Sequence, residues 1–373
     1  MSGHRVTLIP GDGIGPEVVE ATRRALEATG VAFDWDVQQV GEPALALHGT
    51  PLPDSVPESV VRNGVALKGP VSTPAVKGYR SVNIALRVAS GLYGNVRACR
   101  SYPGARCPVG EVDVVVIRDV TEDCYAGIEA FAGTPEAEAI IERVREVLPG
   151  ARIAEGAAVT LRPISADASR RIVEHAFRYA EERGRRKVTA VHKAGVMKAT
   201  DGLFLETARA VAAEHPDIEF EARAVDLTAM HLVQRPHEFD VMVMPMQYGD
   251  ILSDLAGGLV GGPGMIPGVS VGTEAVLFEP GHGSAPPLAG RDVANPMATM
   301  LAGVMMLHHL GEHAAADRLE GAIAAVIAEG VHVTYDMKPR RDDPAAAGTS
   351  EVADAVIARL ERGAAVAGAA AAA

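Results

Sequence analysis

Short apolar runs alternate along the chain with longer stretches whose apolar residues recur at helical spacing. VTLIP (6–10), VDVVVIR (112–118), KVTAVHK (187–193) and DVMVMP (240–245) read as buried strands. The periodicity predicts helices over 135–147, 165–183, 202–214, 250–258, 297–310, 314–329 and 350–362. A further helix opens after GDGIGPE and carries Val18, Val19, Ala21 and Leu26. Strands alternating with helices predict an α/β protein with a substantial parallel component. No internal repeat is visible, and the final AAVAGAAAAA predicts a frayed tail.

Composition narrows the function classes. Of 373 residues 48% are hydrophobic and 22% charged, enough for a large core, and one or two domains are expected. Aromatics are only 4%, so aliphatic side chains and Met must fill that core. The net charge of −13 argues against nucleic acid or an anionic membrane as partner. Three cysteines (Cys99, Cys107, Cys124) without metal-ligand spacing, and no apparent leader, predict a cytoplasmic protein. Residues 255–273 lack charge but hold seven glycines and two prolines, which argues against a spanning helix. Against the acidic total, the stretch from Lys68 to Arg118 has eight basic residues and two acidic ones. Such a local surplus either pairs with acids elsewhere or lines a pocket for a small polyanion.

Four segments could carry chemistry. GDGIGPE lies between a strand and a helix, but Pro16 occupies the third glycine position of a dinucleotide fingerprint, so a tight turn with Pro at the helix start accounts for it. In GDILSDLAGG, Asp250 and Asp254 are four apart on a helix and share a face. Two like charges there call for a cation or a basic group between them, and hard oxygen donors suit Mg²⁺ or Mn²⁺. Asp226, after a strand-like run, could add a third carboxylate. Lys193 ends a buried strand, where lowered basicity would let it shuttle a proton. The turn around His282, Gly283, Ser284 and Ala285 is dense in small residues, which lets backbone amides approach a phosphate or an adenine.

In order, IPGDGIGPEV, LKGP, RSVNIALR, LYGNVR, the segment Arg118 to Tyr125, VTAVHK, VDLTAMHLV, GDILSDLAGGLVGG and HGSAP with Asn295 resemble the metal-dependent β-decarboxylating dehydrogenases of isocitrate, homoisocitrate and 3-isopropylmalate. The likeness runs from about residue 5 to residue 360. It implies a two-domain α/β fold that is not a Rossmann fold. The large domain would comprise 1–94 and 262–373, and the small one 95–261, with a clasp at about 126–163 similar to that of bacterial homodimeric isocitrate dehydrogenases. By position, Arg87, Arg97 and Arg118 would grip substrate carboxylates and Tyr125 would donate a proton. Lys193 and Asp226 would reach the metal-binding Asp250 and Asp254 from the partner subunit of an obligate homodimer. Ser81 and Asn83 resemble the isocitrate type, whereas isopropylmalate enzymes present apolar residues there.

The implied reaction oxidises a 2-hydroxy acid by hydride transfer to NAD or NADP and then releases CO₂ with the help of Mg²⁺ or Mn²⁺. His282, Gly283, Ser284, Ala285, Asn295 and Tyr335 would hold the nucleotide. Its identity stays open: Pro287-Leu288 matches neither type, Tyr335 with Lys338, Arg340 and Arg341 leans to NADP, and Pro339 stands where an Arg is expected. Other departures are Gly195, Met246-Gln247, Asp119-Val120 and the Val76-Lys77 interruption. Lys77 would add a cation beside Ser81 and Asn83, which admits a more anionic or longer substrate such as a phosphonomethylmalate or homoisocitrate. A non-catalytic subunit is the reading from another class; the joint presence of Lys193, Tyr125 and three aspartates opposes it.

Overall fold

The computed structural model describes residues 3–73, 79 and 81–371, with side chains as far as Gly363. Twelve strands are present among them: β1 (His4–Ile9), β2 (Phe33–Val37), β3 (Val65–Lys68), β4 (Leu92–Arg100), β5 (Asp113–Asp119), β6 (Glu129–Ala130), β7 (Val159–Thr160), β8 (Lys187–His192), β9 (Glu219–Ala224), β10 (Val241–Met244), β11 (Pro267–Gly272) and β12 (Val276–Pro280). The helices are α1 (Gly15–Glu27), α2 (Glu42–His48), α3 (Ser55–Asn63), α4 (Val82–Ala89), α5 (Pro135–Val147), α6 (Ala166–Glu182), α7 (Thr200–Ala212), α8 (Val225–Gln234), α9 (Met246–Leu259), α10 (Met297–His309), α11 (His313–Glu329) and α12 (Thr349–Ala371).

Ten strands form one sheet in the order β2-β1-β3-β12-β11-β4-β5-β10-β8-β9. Both ends are parallel, β2-β1-β3-β12 on one side and β5-β10-β8-β9 on the other. Antiparallel β11 and β4 form the seam that joins them. The expectation of an α/β protein with a large parallel component therefore holds. Buried runs such as Val114–Ile117 and Val241–Met244 follow from this arrangement, because helices cover both faces of parallel strands.

Residues 124–162 leave the sheet. β6 and β7 pair as a separate two-stranded ribbon, and α5 packs on both. α5 has the boundaries predicted from periodicity, with Thr134 accepting a hydrogen bond from the Ala137 amide at 3.3 Å and Pro135 in its first turn.

Two boundaries differ from expectation. α9 starts at Met246 rather than 250, because Asp123 reaches across from the end of β5 and accepts the Gln247 amide at 2.9 Å. A remote carboxylate thus satisfies a first-turn donor that no local residue caps. At the other end of the chain, the tail expected to fray continues α12 as far as Ala371, in keeping with the high helix propensity of alanine. Among the described residues no helix is long and apolar enough to cross a membrane.

Candidate active site

Midway along the seam, polar side chains gather on one face. Asn95 and Arg97 on β4, Ser270 on β11 and Glu279 on β12 are all buried, and with Arg87 from α4 and Lys68 at the end of β3 they form one bonded array. Glu279 is its centre. Arg87 Nη2 donates to Glu279 Oε1 at 2.7 Å, Ser270 Oγ donates to the same oxygen at 2.9 Å, and Lys68 Nζ lies 3.1 Å from Oε2. Burial opposes charge on Glu279, but Arg87 and Lys68 outweigh it and hold the carboxyl well below its ordinary range. Burial also pulls the Lys68 ammonium downward, against the attraction of Glu279.

Across the cleft, α9 presents Asp250 and Asp254 on one face, as their spacing predicts. Each meets its own arginine. Arg118 Nη1 lies 2.7 Å from Asp250 Oδ1, and Arg97 Nη1 donates to Asp254 Oδ1 at 3.2 Å. α9 can come this close to Arg118 because residue 249 is glycine: a Cβ there would fall 2.4 Å from the Arg118 Cβ. Burial pushes the Arg118 guanidinium down to about 10, so it stays charged at neutral pH. Burial raises the Asp254 carboxyl, with Arg97 opposing.

Tyr125, in the short turn at the root of the excursion, donates from its hydroxyl to Asp250 Oδ2 at 3.2 Å. Burial and then the Asp250 charge push that phenol up to about 12, so it is a proton donor at neutral pH. Ser81, Asn83, Arg87, Arg97, Arg118, Tyr125 and Asp250 all border one cavity of about 270 Å³. Ser81 also caps α4, taking the Ile84 amide at 3.5 Å. Among the described residues, three buried polar atoms at this cavity have no hydrogen-bond partner: Asn83 Oδ1, Arg118 Nε and His282 Nε2. Unpaired buried groups are costly, and a polar ligand would satisfy them. Lys77 lies outside the described residues, as does Arg80.

A second cavity of about 460 Å³ adjoins the first and shares Gly281, His282 and Gly283 with it. Ala285, Asn295 and Tyr335, three of the residues expected to hold the nucleotide, border it, and so do Asp254, Asp336 and Arg341. Ser284 does not: its hydroxyl bonds to that of Ser72 at 2.8 Å, and its carbonyl accepts the Ile14 amide at 2.8 Å. The GDGIGPE turn thus braces the 282–285 loop. Gly13 is required for this, with φ +60° and a Cβ position only 2.0 Å from the Ser284 carbonyl oxygen. Asn295 is held by Asp336, to which its Nδ2 donates at 3.0 Å. Lys338 is removed from the candidate nucleotide contacts, because its ammonium donates to the Gly330 and Val331 carbonyls at 2.9 Å and caps the end of α11. Among the three basic residues near Tyr335, only Arg341 borders the cavity.

Lys193 and Asp226 are elsewhere. Their 2.7 Å ion pair sits on the outer surface near the ends of β8 and β9, with Asp226 67% exposed at its side chain, and neither residue borders the cleft cavity. That hydrogen bond lowers the Asp226 pKa. Among the described residues, no three His, Cys, Asp or Glu side chains come together as a metal site. Asp250 and Asp254 offer hard oxygen donors suited to Mg²⁺ or Mn²⁺, but one chain supplies only two.

Residues that sequence reasoning passed over are Lys68 and Glu279, and a buried support beneath the site. Arg162 bonds Asp123 and lies 2.5 Å from Asp201, both carboxylates being fully buried. Asp201 Oδ2 also accepts the Lys193 amide at 2.6 Å and the Tyr248 hydroxyl at 3.0 Å. The excursion, α7 and α9 are thereby tied at one point. The available signal was a charged residue inside each short apolar run, VALK and VLFEP.

Sheet, anion cleft and adjoining glycine-lined cavity offer a place for a small polyanion beside a nucleotide. The sequence model of "Isocitrate/isopropylmalate dehydrogenase" matches residues 5–356, and the chain belongs to that family of NAD(P)-dependent, metal-dependent β-decarboxylating dehydrogenases. It is 42% identical over 337 residues to the probable mitochondrial NAD isocitrate dehydrogenase subunit alpha of Drosophila melanogaster, covering 90% of this chain and 84% of that one. It is also 42% identical over 327 residues to the chloroplastic 3-isopropylmalate dehydrogenase of Solanum tuberosum, covering 87% and 86%. The crystal structure of isocitrate dehydrogenase from Methylococcus capsulatus superposes with a TM-score of 0.87 at 45% identity, covering 96% of this chain and 99% of that one. Overall identity therefore does not separate the two substrates.

Proposed function

We propose that the protein catalyses the oxidative decarboxylation of isocitrate or a close 3-substituted malate. The observation that carries this reading is Asn83, which borders the cleft beside Ser81 with a buried Oδ1 that has no partner among the described residues. Its Nδ2 can donate to a carboxylate on the third arm of the substrate, whereas the isopropyl group of isopropylmalate offers no acceptor.

Arg87, Arg97 and Arg118 fix the substrate carboxylates by charge-assisted hydrogen bonds from the N–H groups that their present carboxylate partners leave free. Asp250 and Asp254, joined by Asp226 of a second copy, would hold a divalent ion. When bound, that ion would polarise the C2 oxygen and favour loss of its proton and of CO₂. Lys193 of that copy, positioned by its backbone bond to Asp201, would accept the proton of the 2-hydroxyl as the neutral amine, and a bound nicotinamide would supply the acceptor for the C2 hydride. Tyr125 returns a proton to C3 after the carboxylate departs. His282 is kept neutral by burial and donates from Nδ1 to the Gly283 carbonyl at 3.0 Å, which leaves Nε2 as an acceptor.

The homodimer reading is supported by α8, whose Leu227, Met230 and Val233 are 42%, 46% and 46% exposed beside Asp226. Phe131 of the excursion is 75% exposed. A division into lobes of 1–94 with 262–373 and of 95–261 places the anion cleft between them.

The test follows reduced nicotinamide by absorbance with Mg²⁺ or Mn²⁺, offering isocitrate, 3-isopropylmalate, homoisocitrate and a phosphonomethylmalate in turn. Preference for isocitrate or a 3-substituted malate with an acidic third arm is expected; preference for isopropylmalate overturns the reading. For the nucleotide, Arg341 beside Tyr335 supports NADP, and Arg341→Ala should raise the KM for NADP about tenfold while leaving that for NAD nearly unchanged. Equal effects on both would assign Arg341 no part in reading the 2′-phosphate.

A further inference from the structure

The seam strands have a second face. Side chains alternate along a strand, so while Asn95, Arg97, Ser270 and Glu279 turn toward the cleft, Val96, Val269, Val271 and Phe278 turn the other way. There they floor a cavity of about 450 Å³, back to back with the active site across a single sheet. Its walls are α6, with His175 and Tyr179, and α10, with Met305 and His309. α6 packs on β5, β8 and β10, whereas α10 packs on β3, β11 and β12. The cavity therefore lies between helices carried by opposite halves of the sheet.

Three features distinguish it from a packing gap. Its volume falls in the range of small-molecule sites, roughly 300–1,000 Å³. His175 Nε2 is buried with no hydrogen-bond partner among the described residues, its ring set edge-on to Tyr93 with centroids 6.0 Å apart. Burial pulls that imidazole down to about 4, so it is neutral at physiological pH and offers a hydrogen bond rather than a charge. The third feature is the rim. Arg170 and Arg185 are ion-paired, but Arg178 and Arg183, which border the cavity, have no ion-pair partner among the described residues. Glu182 is the acidic residue of the lining.

We propose that this rear cavity binds a small amphipathic carboxylate. Its apolar or aromatic body lies on Val96, Val269, Val271 and Phe278, its carboxylate meets Arg178 and Arg183, and a polar atom reaches His175. Binding of such a ligand stands on the cavity alone. Its consequence for catalysis rests on the proposed function. Closing the front cleft about the β4–β11 seam spreads the helices behind it, so a ligand wedged between α6 and α10 favours the closed form. The KM for substrate then falls without any contact to substrate, and by linkage substrate tightens the ligand.

Titration calorimetry of the full protein with 3-phenylpropanoate as probe tests the site. Saturable binding below about 1 mM is expected, with about tenfold weaker binding of 3-phenylpropanamide, of the Arg178→Glu/Arg183→Glu variant and of His175→Phe. Both arginines are exposed, so the double variant should fold, and Arg178→Lys/Arg183→Lys should retain the probe. No saturable heat up to about 10 mM, equal binding by the charge-reversed variant, or displacement by isocitrate with Mg²⁺ overturns the site. Saturating probe should lower the KM for isocitrate about threefold in wild type and not in the charge-reversed variant; an unchanged KM with binding intact overturns the coupling. Arginine-dependent binding in a protein that turns over neither isocitrate nor another 3-substituted malate with an acidic third arm would leave the rear site standing and sink the functional reading instead.

Discussion

The cleft and the Lys193–Asp226 surface carry the same kinds of side chain under opposite physical conditions. In the cleft, Lys68 and Glu279 are buried and bonded to each other, Glu279 also holds Arg87, and buried Arg118 pairs with Asp250; burial lowers the Lys68 and Arg118 pKa values, while the neighbouring cations hold Glu279 below its ordinary range. On the outer surface, Lys193 and Asp226 form one exposed pair beside apolar side chains that face solvent. Buried charges must be held in place by their partners whether or not substrate is present. An exposed pair gains little from pairing and exchanges partners at small cost. On the proposed reading, the cleft is a preformed half-site, and the surface pair would serve the half-site of a second copy.

The sharpest way to break this comparison is to disable each region in a different chain. Lys193→Met and Asp250→Asn should each lower kcat by about 10²–10⁴. If sites are shared, mixing and re-equilibrating the two inactive dimers restores about a quarter of wild-type activity, because half the dimers are mixed and each has one intact site. No recovery would place Lys193 and Asp250 in the same chain's site. Next in size, Glu279→Gln leaves Lys68 and Arg87 buried without their anion and should cost about 3–5 kcal/mol, read as a lowered denaturation midpoint. Asp226→Asn should leave that midpoint unchanged.

A smaller effect distinguishes the regions by pH. The Glu279 carboxyl is depressed in the folded state, so its contribution is complete above its ordinary value of 4.5 and is lost as the pH falls below it. Wild-type Tm should therefore drop as the pH falls from about 5 to about 3, by roughly 4–8 °C for each kcal/mol in a small domain and less in a chain of this size. The slope should flatten in Glu279→Gln and persist in Asp226→Asn. A slope that persists in Glu279→Gln would assign the acid sensitivity to other carboxylates.

Much of the site was legible in the sequence because its signals are local. The i,i+4 spacing of Asp250 and Asp254 puts both carboxylates on one face in any helix, and Lys193 at the end of VTAVHK needs only the strand to be placed. The basic stretch from Lys68 to Arg118 was equally visible, and so was the choice between paired acids and an anion pocket. The structure holds both outcomes, since Arg87, Arg97 and Arg118 are paired with carboxylates and face one cavity. What could not be read were partners far apart along the chain. Glu279 meets Lys68 and Arg87 across about 200 residues of sequence, and Asp123 sets the start of α9 from more than 120 residues away. Lys338 misled for the same reason: its composition fits a phosphate contact, but the end of α11 lies nearer to it than the nucleotide cavity does.

The sequence by itself determined the α/β class, the family, the two carboxylates on one helix face and the residue types that hold an anion, because periodicity and motif order are properties of the chain taken locally. Only the tertiary structure decided which charges are buried against which, which face of each seam strand is wet or apolar, and that Asp226 stands apart from Asp250 within one chain. Those outcomes depend on strand order and on how far a side chain lies from water, and neither is written in any short stretch of residues.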